Sequence, residues 1–503
     1  MSSFNSVKRL IRRTWVASRR WPSWRQALAY VGAAAIIVVT IAGIFALSFF
    51  RRDVPRVYTD VEEHFKYGSI GSEANAGIPY RIWKVLPAVF PEYLPDRPGT
   101  GYERFGFIYE SAEHDLPIGT SYREKPVGLV GLTCAACHVG TIRESPEAEP
   151  RIVLGKPAQA FDLQAYIQFL FRVGGDDRFN ADVLMTAIRD DDPGISRTEQ
   201  LIYRYLAISR TRDALIKQSE LFTWMDIRPP SGPGRVDTFN PFNEFFGLEP
   251  GRNDVVGTAS LPSIWNQSVR AEMNLHWDGN NNSVDERNIN AAIGAGAIKG
   301  MQDIIDLPAI KRIADWIWDD LHPVPFPEER LDRKLASQGE IVFQSSCASC
   351  HALDGKYIGQ VTDIADIGTD PERLDSFTEE LVVFLNKTGE GKDWKYSHFK
   401  KTTGYANMPL DGIWLRAPYL HNGSVPTLRD LLRSPGSRPT TFYFGVDLID
   451  FENVGFVGSG EYAESNGVLF DTNLRGNGNS GHTYGVELTE AEKDSLIEFL
   501  KTM

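Results

Sequence analysis

The sequence predicts a mainly α-helical protein in which one N-terminal transmembrane helix precedes two domains with long loops. Three observations support this prediction. An uncharged apolar stretch follows a basic N-terminus, two short blocks hold all four cysteines, and helical apolar spacing surrounds the second block. Breakers such as "RPPSGPGR" at residues 228–235 indicate the loops.

The N-terminal segment has the composition of a membrane anchor. Residues 27–50 are uncharged and mostly apolar, and a helix of that length crosses a hydrocarbon core of about 30 Å at about 1.5 Å per residue. Residues 1–26 contain basic residues and no acidic one, so the positive-inside rule predicts a cytoplasmic basic tail. A cleaved signal peptide is the alternative, but its apolar region is usually no longer than about 15 residues. An uncleaved single-pass anchor is therefore expected.

All four cysteines lie in "CAACH" at residues 134–138 and "CASCH" at residues 347–351. Cys-x-x-Cys followed by His is the attachment pattern of a c-type haem, whose iron takes the histidine as its proximal ligand. The alternative of redox or zinc pairs leaves no spare Cys-His cluster to complete a site. Two covalently bound haems c are therefore expected, with cytochrome c-like domains around them. The attachment residues are Cys134, Cys137 and His138 for the first haem and Cys347, Cys350 and His351 for the second.

Covalent haem attachment takes place outside a bacterial inner membrane, so the main part of the chain is expected in the periplasm. The first 52 residues hold nine of the 53 Lys and Arg and none of the 66 Asp and Glu. The remainder has 44 basic against 66 acidic residues, a net charge of −22. Such an acidic surface excludes nucleic acid as a partner and would steer a basic one, such as a small cationic cytochrome.

The motifs divide the exported part into a first haem c domain at residues 53–321 and a second at residues 331–503. The proline-rich "HPVPFPEER" at residues 322–330 separates them and cannot continue a helix. In the second domain, helical spacing leads into the motif, and "LTEAEKDSLIEFLKTM" forms a terminal helix capped by Thr489. This is the usual outline of a class I cytochrome c domain.

The sixth ligand of each iron separates electron transfer from chemistry on oxygen or peroxide. No histidine lies between His138 and His276, which favours an open first haem. A distant group that folds back onto this haem is the alternative, and the candidates are His64, His114 and Met225.

The second haem has more candidates for its sixth ligand. Met408 stands in a Met-Pro pair, and His482 stands in a glycine-rich loop that could approach a haem edge closely. His398 and His421 are further candidates. The residues alone leave the choice between Met408 and His482 as the sixth ligand open.

Several stretches resemble the bacterial di-haem cytochrome c peroxidase superfamily. Beside the two haem motifs, they are "SLPSIWNQ" at residues 260–267, "LHWDGN" at 275–280 and "LRAPYLHNGSVPTLRDLL" at 415–432. Within the superfamily, "HFKYGSIG" at residues 64–71, "HWDGNNNSVDERN" and "ANMPLDGIWLRAPYLHNGSVPTL" are more similar to the rubber-oxygenase and fatty-acid-dioxygenase branch.

The resemblance implies roles for individual residues. His138 and His351 match the proximal ligands, Trp277 matches the tryptophan between the two haems, and His421 matches a histidine that does not bind iron. The methionine ligand of the peroxidases would fall at Pro435. The resemblance to the rubber-oxygenase branch implies instead a second haem with two histidine ligands. This favours His482 as the sixth ligand, with Met408 as the alternative.

The chain also departs from the peroxidases around the first haem. Their acidic residue for O–O cleavage has no counterpart in "NAAIGAGAIKG" at residues 290–300, and Leu154 stands where their capping histidine is expected. An uncapped, mostly apolar pocket would bind oxygen directly and admit an apolar substrate. The nearest polar candidates are Asn281, Glu286 and Arg287.

A calcium site remains open at this stage. Asn266 and Pro418 match positions around an inter-domain calcium in the peroxidases, whereas Arg416 stands where that family has threonine.

The sequence therefore predicts a membrane-anchored, periplasm-facing di-haem oxidoreductase that activates O2 or peroxide at the first haem. His138, Trp277 and Arg287 are its predicted catalytic residues, and the second haem relays electrons. The substrate would be an apolar molecule or a protein, with a cytochrome or quinol as electron partner. The alternatives are a cytochrome c peroxidase with a donor cytochrome, and a non-enzymatic electron carrier with two six-coordinate haems.

Overall fold

The computed structural model of the chain describes residues 22–50, 53–111, 114–248, 255–296 and 305–503. Helices account for about 45% of the residues and strands for 12%, which confirms a mainly helical protein. The chain divides into two compact units. One comprises residues 1–54 and 124–126, and the other, called the body below, comprises residues 55–123 and 127–503.

The N-terminal unit contains the helix Ser23–Phe50, which begins before the predicted start at residue 27. Its segment Ser23–Ile41 is long and apolar enough to cross a membrane. An anchor and a signal sequence both meet that criterion. Of the predicted basic tail at residues 1–26, residues 1–21 lie outside the described part of the chain.

The body is built from short helices and strands joined by long loops. Before residue 322, its α-helices span Val61–Tyr67, Glu73–Ala76, Tyr80–Val89, Ala135–His138, Leu163–Gly175, Ala181–Asp191, Arg197–Ile202, Ile208–Leu221, Asn240–Phe246, Val284–Gly294 and Leu307–Asp319. After it, they span Arg333–Ser346, Ala348–His351, Ile364–Ile367, Glu372–Ser376, Glu379–Leu385, Leu428–Leu431, Glu461–Asn466 and Glu490–Leu500.

The strands are short and pair in antiparallel fashion. Ile78–Pro79, Thr120–Glu124 and Leu129–Leu132 belong to one sheet, and a further strand spans Val54–Pro55. The remaining pairs are Val139–Ile142 with Arg151–Leu154, Arg235–Asp237 with Thr258–Ser260, Val361–Asp363 with Gly404–Ala406, Thr441–Phe444 with Val468–Asp471, and Ile449–Asp450 with Gly455–Phe456.

Two helices frame the second motif, as the sequence predicts. Helix Arg333–Ser346 leads into it, and the Asp332 carboxylate caps this helix by accepting two main-chain N–H groups. Helix Glu490–Leu500 begins with a capping box between Thr489 and Glu492, which confirms the predicted cap. Each cap contributes about 1 kcal/mol to helix stability.

The same two helices cross at very short distance because Gly339 has no side chain. A Cβ at this position would collide with the carbonyl oxygen of Ser495 on the opposite helix. The rings of Phe343 and Phe499 then pack beside the crossing with their centres 5.1 Å apart. The crossing therefore fixes the helix from which the second motif continues.

The two halves of the body share one apolar core. Its largest cluster contains Ala135 and Val139 from around the first motif together with Phe343, Ala348 and Leu496 from around the second. The proline-rich stretch at residues 322–330 lies inside the same compact unit. Packing therefore holds the two motifs in one continuous interior.

Candidate haem sites

The first site is built around His138, the last residue of helix Ala135–His138. Its Nδ1 donates a hydrogen bond to the carbonyl of Pro262 at 2.9 Å, and its own carbonyl accepts one from Gly155 at 2.8 Å. Burial, with a smaller contribution from Arg287, lowers the pKa of His138 to about 4. The ring is therefore neutral, and the proton on Nδ1 leaves the Nε2 lone pair for a metal.

The second site repeats this arrangement around His351. Its Nδ1 donates to the carbonyl of Met408 at 2.8 Å, and burial lowers the pKa of the ring. A main-chain carbonyl on Nδ1 is the usual orienting partner of a metal-binding histidine. Because the main chain of Met408 fills this role, it lies behind the ring of His351.

His482 lies across from His351. Their ring centres are 6.3 Å apart and the ring planes differ by 41°. Two imidazoles bound to one metal from opposite sides, each with its nitrogen about 2 Å from the metal, have centres about 6 Å apart. Burial and then His351 lower the pKa of His482 to about 4, so both rings are neutral.

Main-chain bonds hold His482 in this place. The residue has a left-handed φ of 46°, its N–H donates to the carbonyl of Ile367 at 2.8 Å, and its carbonyl accepts from Arg438 at 3.1 Å. Gly481 lies directly against the main chain of Gly368. The glycine-rich loop thus permits the close approach that the sequence suggests.

The four cysteines are partly buried and unpaired with one another. Burial raises the pKa of Cys134 to about 11, of Cys137 to about 12 and of Cys347 to about 11. A redox Cys-x-x-Cys pair requires a lowered pKa, so this environment does not suit one. Among the described residues, no cluster of three or more His, Cys, Asp or Glu could hold a metal ion. The surroundings therefore fit haem attachment better than redox or zinc chemistry.

Trp277 connects the two sites through hydrogen bonds. Its indole Nε1 donates to the carbonyl of Ser260 at 2.8 Å, and its main-chain carbonyl accepts from Ala406 at 2.8 Å. Ser260 lies two residues before Pro262, and Ala406 two residues before Met408. Trp277 therefore touches both segments that orient the proximal histidines.

The three predicted polar candidates near the first site divide into two groups. The buried Glu286 accepts from the side chain of Asn281 at 2.9 Å and lies 2.6 Å from Nδ1 of His398. These residues therefore tie a loop to helix Val284–Gly294. The guanidinium of Arg287, on the next position of that helix, forms no hydrogen bond or ion pair within the described part of the chain.

Arg287 acts on the first site through its charge. Burial lowers the pKa of its guanidinium to about 10. Its positive charge lowers the pKa of both His138 and His276, so both rings lie within its electrostatic reach. The residue is only partly buried, and its charge is not paired with a carboxylate among the described residues.

The alternative caps of the first haem lie in different settings. His64 is buried on helix Val61–Tyr67, which packs against the helix of His138, and its Nε2 has no partner among the described residues. The ring of His114 stacks on Tyr67 at 4.9 Å, and Met225 is buried. In the described part of the chain, no aromatic ring is as close to His138 as His482 is to His351.

The ring of His421 is engaged by Tyr405. It stacks on Tyr405 at 4.1 Å, and its Nε2 lies 3.1 Å from the Tyr405 hydroxyl. Its carbonyl accepts from the N–H of Ser260 at 2.8 Å. This geometry suits a structural histidine, in line with its interpretation from the sequence.

The position matched to calcium does not fit that ion. Arg416 donates to the carbonyl of Pro409 at 2.8 Å and to the Asp411 carboxylate at 2.6 Å. Arg270 forms a second ion pair with Asp411, and Asn266 donates to it at 3.0 Å. The oxygens are thus taken by two guanidinium groups and an amide, which leaves no ligand set of the kind calcium needs.

Sequence reasoning did not assign the main-chain carbonyls of Pro262 and Met408 as partners of the proximal histidines, because a carbonyl has no residue-type signal. It also gave no role to His276, although the ring stands directly before Trp277. The Glu286–His398 contact spans 112 positions, and no local pattern indicates it.

Comparison with known proteins adds an independent line of support. Residues 404–443, which include Met408 and His421, match a family described as "RoxA-like, cytochrome c-like". The chain contains a cytochrome c-like domain. Such a domain indicates a haem oxidoreductase, and the match supports the predicted resemblance to the rubber-oxygenase branch.

Two proteins of Sinorhizobium fredii (strain NBRC 101917 / NGR234) are similar to the chain. "Uncharacterized protein y4iJ" is 26% identical, in an alignment over 80% of the chain and 84% of that protein. "Uncharacterized protein y4iM" is 32% identical, over 48% of the chain and 64% of that protein. The similarity to y4iJ therefore extends well beyond the cytochrome c-like segment.

Proposed function

We propose that the protein is a membrane-anchored, periplasm-facing di-haem c oxidoreductase whose first haem is the reaction centre and whose second haem relays electrons. Cys134, Cys137 and His138 would hold the first haem. The second would be held by Cys347 and Cys350, with His351 and His482 as its axial ligands.

The difference between the two sites carries this proposal. His351 faces His482 at the separation of two ligands on one iron, and a haem with both axial positions filled transfers electrons. His138 has the same orienting carbonyl but, among the described residues, no ring at that distance. A haem at the first site would keep one axial position for a small molecule.

A haem with an open axial position supplies oxidation chemistry with O2 or peroxide. The protein contributes the surroundings. Pro262 fixes the orientation of His138, and Arg287 supplies a positive charge that favours anionic oxygen species near the site. Ile293 and Phe399 belong to an apolar cluster beside the helix of Arg287, which suits an apolar substrate.

Trp277 provides the connection between the centres. Its indole donates to Ser260 on the segment that orients His138, and its main-chain carbonyl accepts from Ala406 on the segment that orients His351. An aromatic ring in that position shortens the distance over which an electron must tunnel.

The first experiment is low-temperature EPR of the ferric full chain in detergent, combined with a haem count by pyridine haemochrome. We expect two haems, of which one is low-spin and one binds carbon monoxide after reduction. Two low-spin haems that do not bind carbon monoxide after reduction would instead identify an electron carrier. A single haem would contradict the proposal outright.

Substrate trials then separate the enzymatic alternatives. Oxygen uptake that depends on an added apolar alkene would support an oxygenase. Steady oxidation of a reduced cytochrome by peroxide would favour the peroxidase alternative. The matched control is the double variant Cys134→Ser with Cys137→Ser, which retains the second motif. Because it lacks the cysteines that would hold the first haem, it should show neither the oxygenase nor the peroxidase activity.

The N-terminal helix Ser23–Phe50 would tether the protein to the inner membrane. N-terminal sequencing of the mature protein tests this part of the proposal. A mature chain that begins after residue 50 would show a cleaved signal instead.

A further inference from the structure

We propose that His276 is the distal histidine of the first haem, where its imidazole donates a hydrogen bond to the small molecule bound opposite His138. The inference rests on the proposed function, since it takes His138 as the proximal ligand of a haem with one open axial position. It assigns to His276 a role that neither the haem motif nor the sequence resemblance supplies.

A tight loop sets the direction of the His276 ring. The residue has a left-handed φ of 63°, a conformation that is strained in a residue other than glycine. Leu275 pairs with Asn281 across the loop at 2.6 Å, and the N–H of Gly279 donates to the carbonyl of His276 at 3.4 Å. The contact of Asn281 with Glu286 then fastens the loop to helix Val284–Gly294.

The His276 ring is uncommitted to any protein group. Its Nε2 is buried, and within the described residues neither ring nitrogen has a hydrogen-bond partner. His138, His351 and His421 each have such a partner. A buried polar atom without a partner is destabilising, so a ligand that bonds to this ring would recover free energy.

Chain connectivity places His276 beside the first site. The next residue, Trp277, donates to the carbonyl of Ser260, two residues before the Pro262 that orients His138. One indole and the two residues from Ser260 to Pro262 thus connect His276 with the segment that bonds to His138.

Helix Val284–Gly294 connects the same two places from the other side. Its Ala292 belongs to the core cluster that contains Ala135 of the first motif. Its Ile293 packs in the cluster of Phe399, whose ring centre lies 6.4 Å from that of His276. The helix therefore packs against the core of the first motif and against the cluster beside His276.

Arg287 is carried by this helix and lies within electrostatic reach of His276, since its charge lowers the pKa of that ring. Burial is the larger cause, so the His276 ring is neutral and keeps one N–H to donate. This N–H suits an oxygen-centred ligand, and Arg287 adds positive charge to the same region.

The separation of the rings indicates a hydrogen-bonding role for His276. In the described part of the chain, no ring lies as close to His138 as the 6.3 Å between His351 and His482. His276 therefore stands farther from His138 than two ligands of one iron, and a small molecule can lie between the iron and its ring.

The test compares the wild-type chain with His276→Phe, which keeps an aromatic ring and removes the donor. Infrared spectra of the reduced carbon monoxide complex report the C–O stretching frequency, and ferric absorbance reports fluoride affinity. In the variant we expect a higher frequency and an affinity about tenfold lower, as for the loss of one hydrogen bond. The matched control is His322→Phe, at an exposed histidine whose ring contacts Asn266, and it should change neither value.

His276→Gln supplies a rescue, because its amide N–H should restore most of the fluoride affinity. If the phenylalanine variant fails to load haem, His276→Leu replaces it. Unchanged frequency and affinity in a haem-loaded variant would overturn the role of His276 while leaving the proposed function intact. A wild-type protein that binds neither carbon monoxide nor fluoride would overturn both.

Discussion

The imidazole rings of His351 and His482 face each other with their centres 6.3 Å apart. The ring of His351 is held from behind by the carbonyl of Met408, whereas His482 is held through its main-chain N–H, which donates to the carbonyl of Ile367. The two neutral imidazoles thus stand at the separation that two ligands of one iron have.

Replacement of His482 should open the second haem. In His482→Ala, we expect the low-spin EPR signal of that haem to become high-spin and a second carbon monoxide molecule to bind after reduction. The matched control is His398→Ala, which removes an exposed histidine of the same half. An unchanged low-spin signal in His482→Ala would show that another residue supplies the sixth ligand.

The pKa of His482 leads to a second prediction. Its folded-state pKa is about 4 and its ordinary value is 6.5. Between these values the unfolded chain binds a proton that the folded chain does not, so the free energy of unfolding falls as the pH drops from 6.5 to 4. Above pH 6.5 this contribution, of the order of 3 kcal/mol, is fully present.

The absorbance of the second haem should consequently stay low-spin from pH 8 to about pH 4, because His482 is already neutral in that range and bound iron holds its Nε2 against the proton. A pH titration of the ferric protein measures this. A transition centred near 6.5 would mean that His482 is exposed and does not bind iron.

Local patterns predicted the N-terminal helix, the two motifs, the helices around the second motif and the Thr489 cap, because each depends on residues close in sequence. The choice between Met408 and His482 could not be made in that way. It depends on a crossing of chain segments that brings residue 482 opposite residue 351 and the main chain of residue 408 behind it.

The calcium position illustrates the same limit. Asn266 and Arg416 are far apart in sequence, and only the fold brings Asp411 and Arg270 between them. The guanidinium groups then take the oxygens that a metal would need. Likewise, the sequence identifies His276 as a histidine next to Trp277, but its left-handed conformation and its lack of a partner appear only in three dimensions.

Trp277 should control electron transfer between the haems. In Trp277→Phe the hydrogen bond to Ser260 is lost and the ring is smaller, so oxidation of the second haem after rapid mixing with peroxide should slow by about tenfold or more. Trp414→Phe is the control, since that buried indole donates to the carbonyl of Val324 away from both proximal segments. Equal rates in the two variants would contradict a connecting role for Trp277.

Arg287 should raise the reduction potential of the first haem, because a nearby positive charge disfavours the ferric state. In Arg287→Gln, we expect the potential to fall on the order of 50 mV, the effect of one charge in a partly polar interior. Spectroelectrochemical titration measures it. Arg287→Lys keeps the charge and should remain near wild type, as should the exposed Arg333→Gln. A potential unchanged in Arg287→Gln would place the guanidinium outside the site.

Gly339 tests the helix crossing that supports the second motif. Alanine favours a helix over glycine by about 1 kcal/mol, so an uncrowded site would gain stability from Gly339→Ala. Here the added Cβ would collide with the Ser495 carbonyl and lie 2.9 Å from Cβ of Phe499. Overpacking costs about 1–3 kcal/mol and outweighs the propensity gain, so the free energy of unfolding should decrease.

Denaturant unfolding of the haem-loaded full chain in detergent, followed by circular dichroism and by absorbance of the second haem, measures the Gly339→Ala effect. Gly436→Ala is the matched control, because no atom lies within 4 Å of its added Cβ. The two probes should shift to lower denaturant together in Gly339→Ala and stay in place in Gly436→Ala. Equal or greater stability of Gly339→Ala would mean that the two helices lie farther apart than this crossing requires.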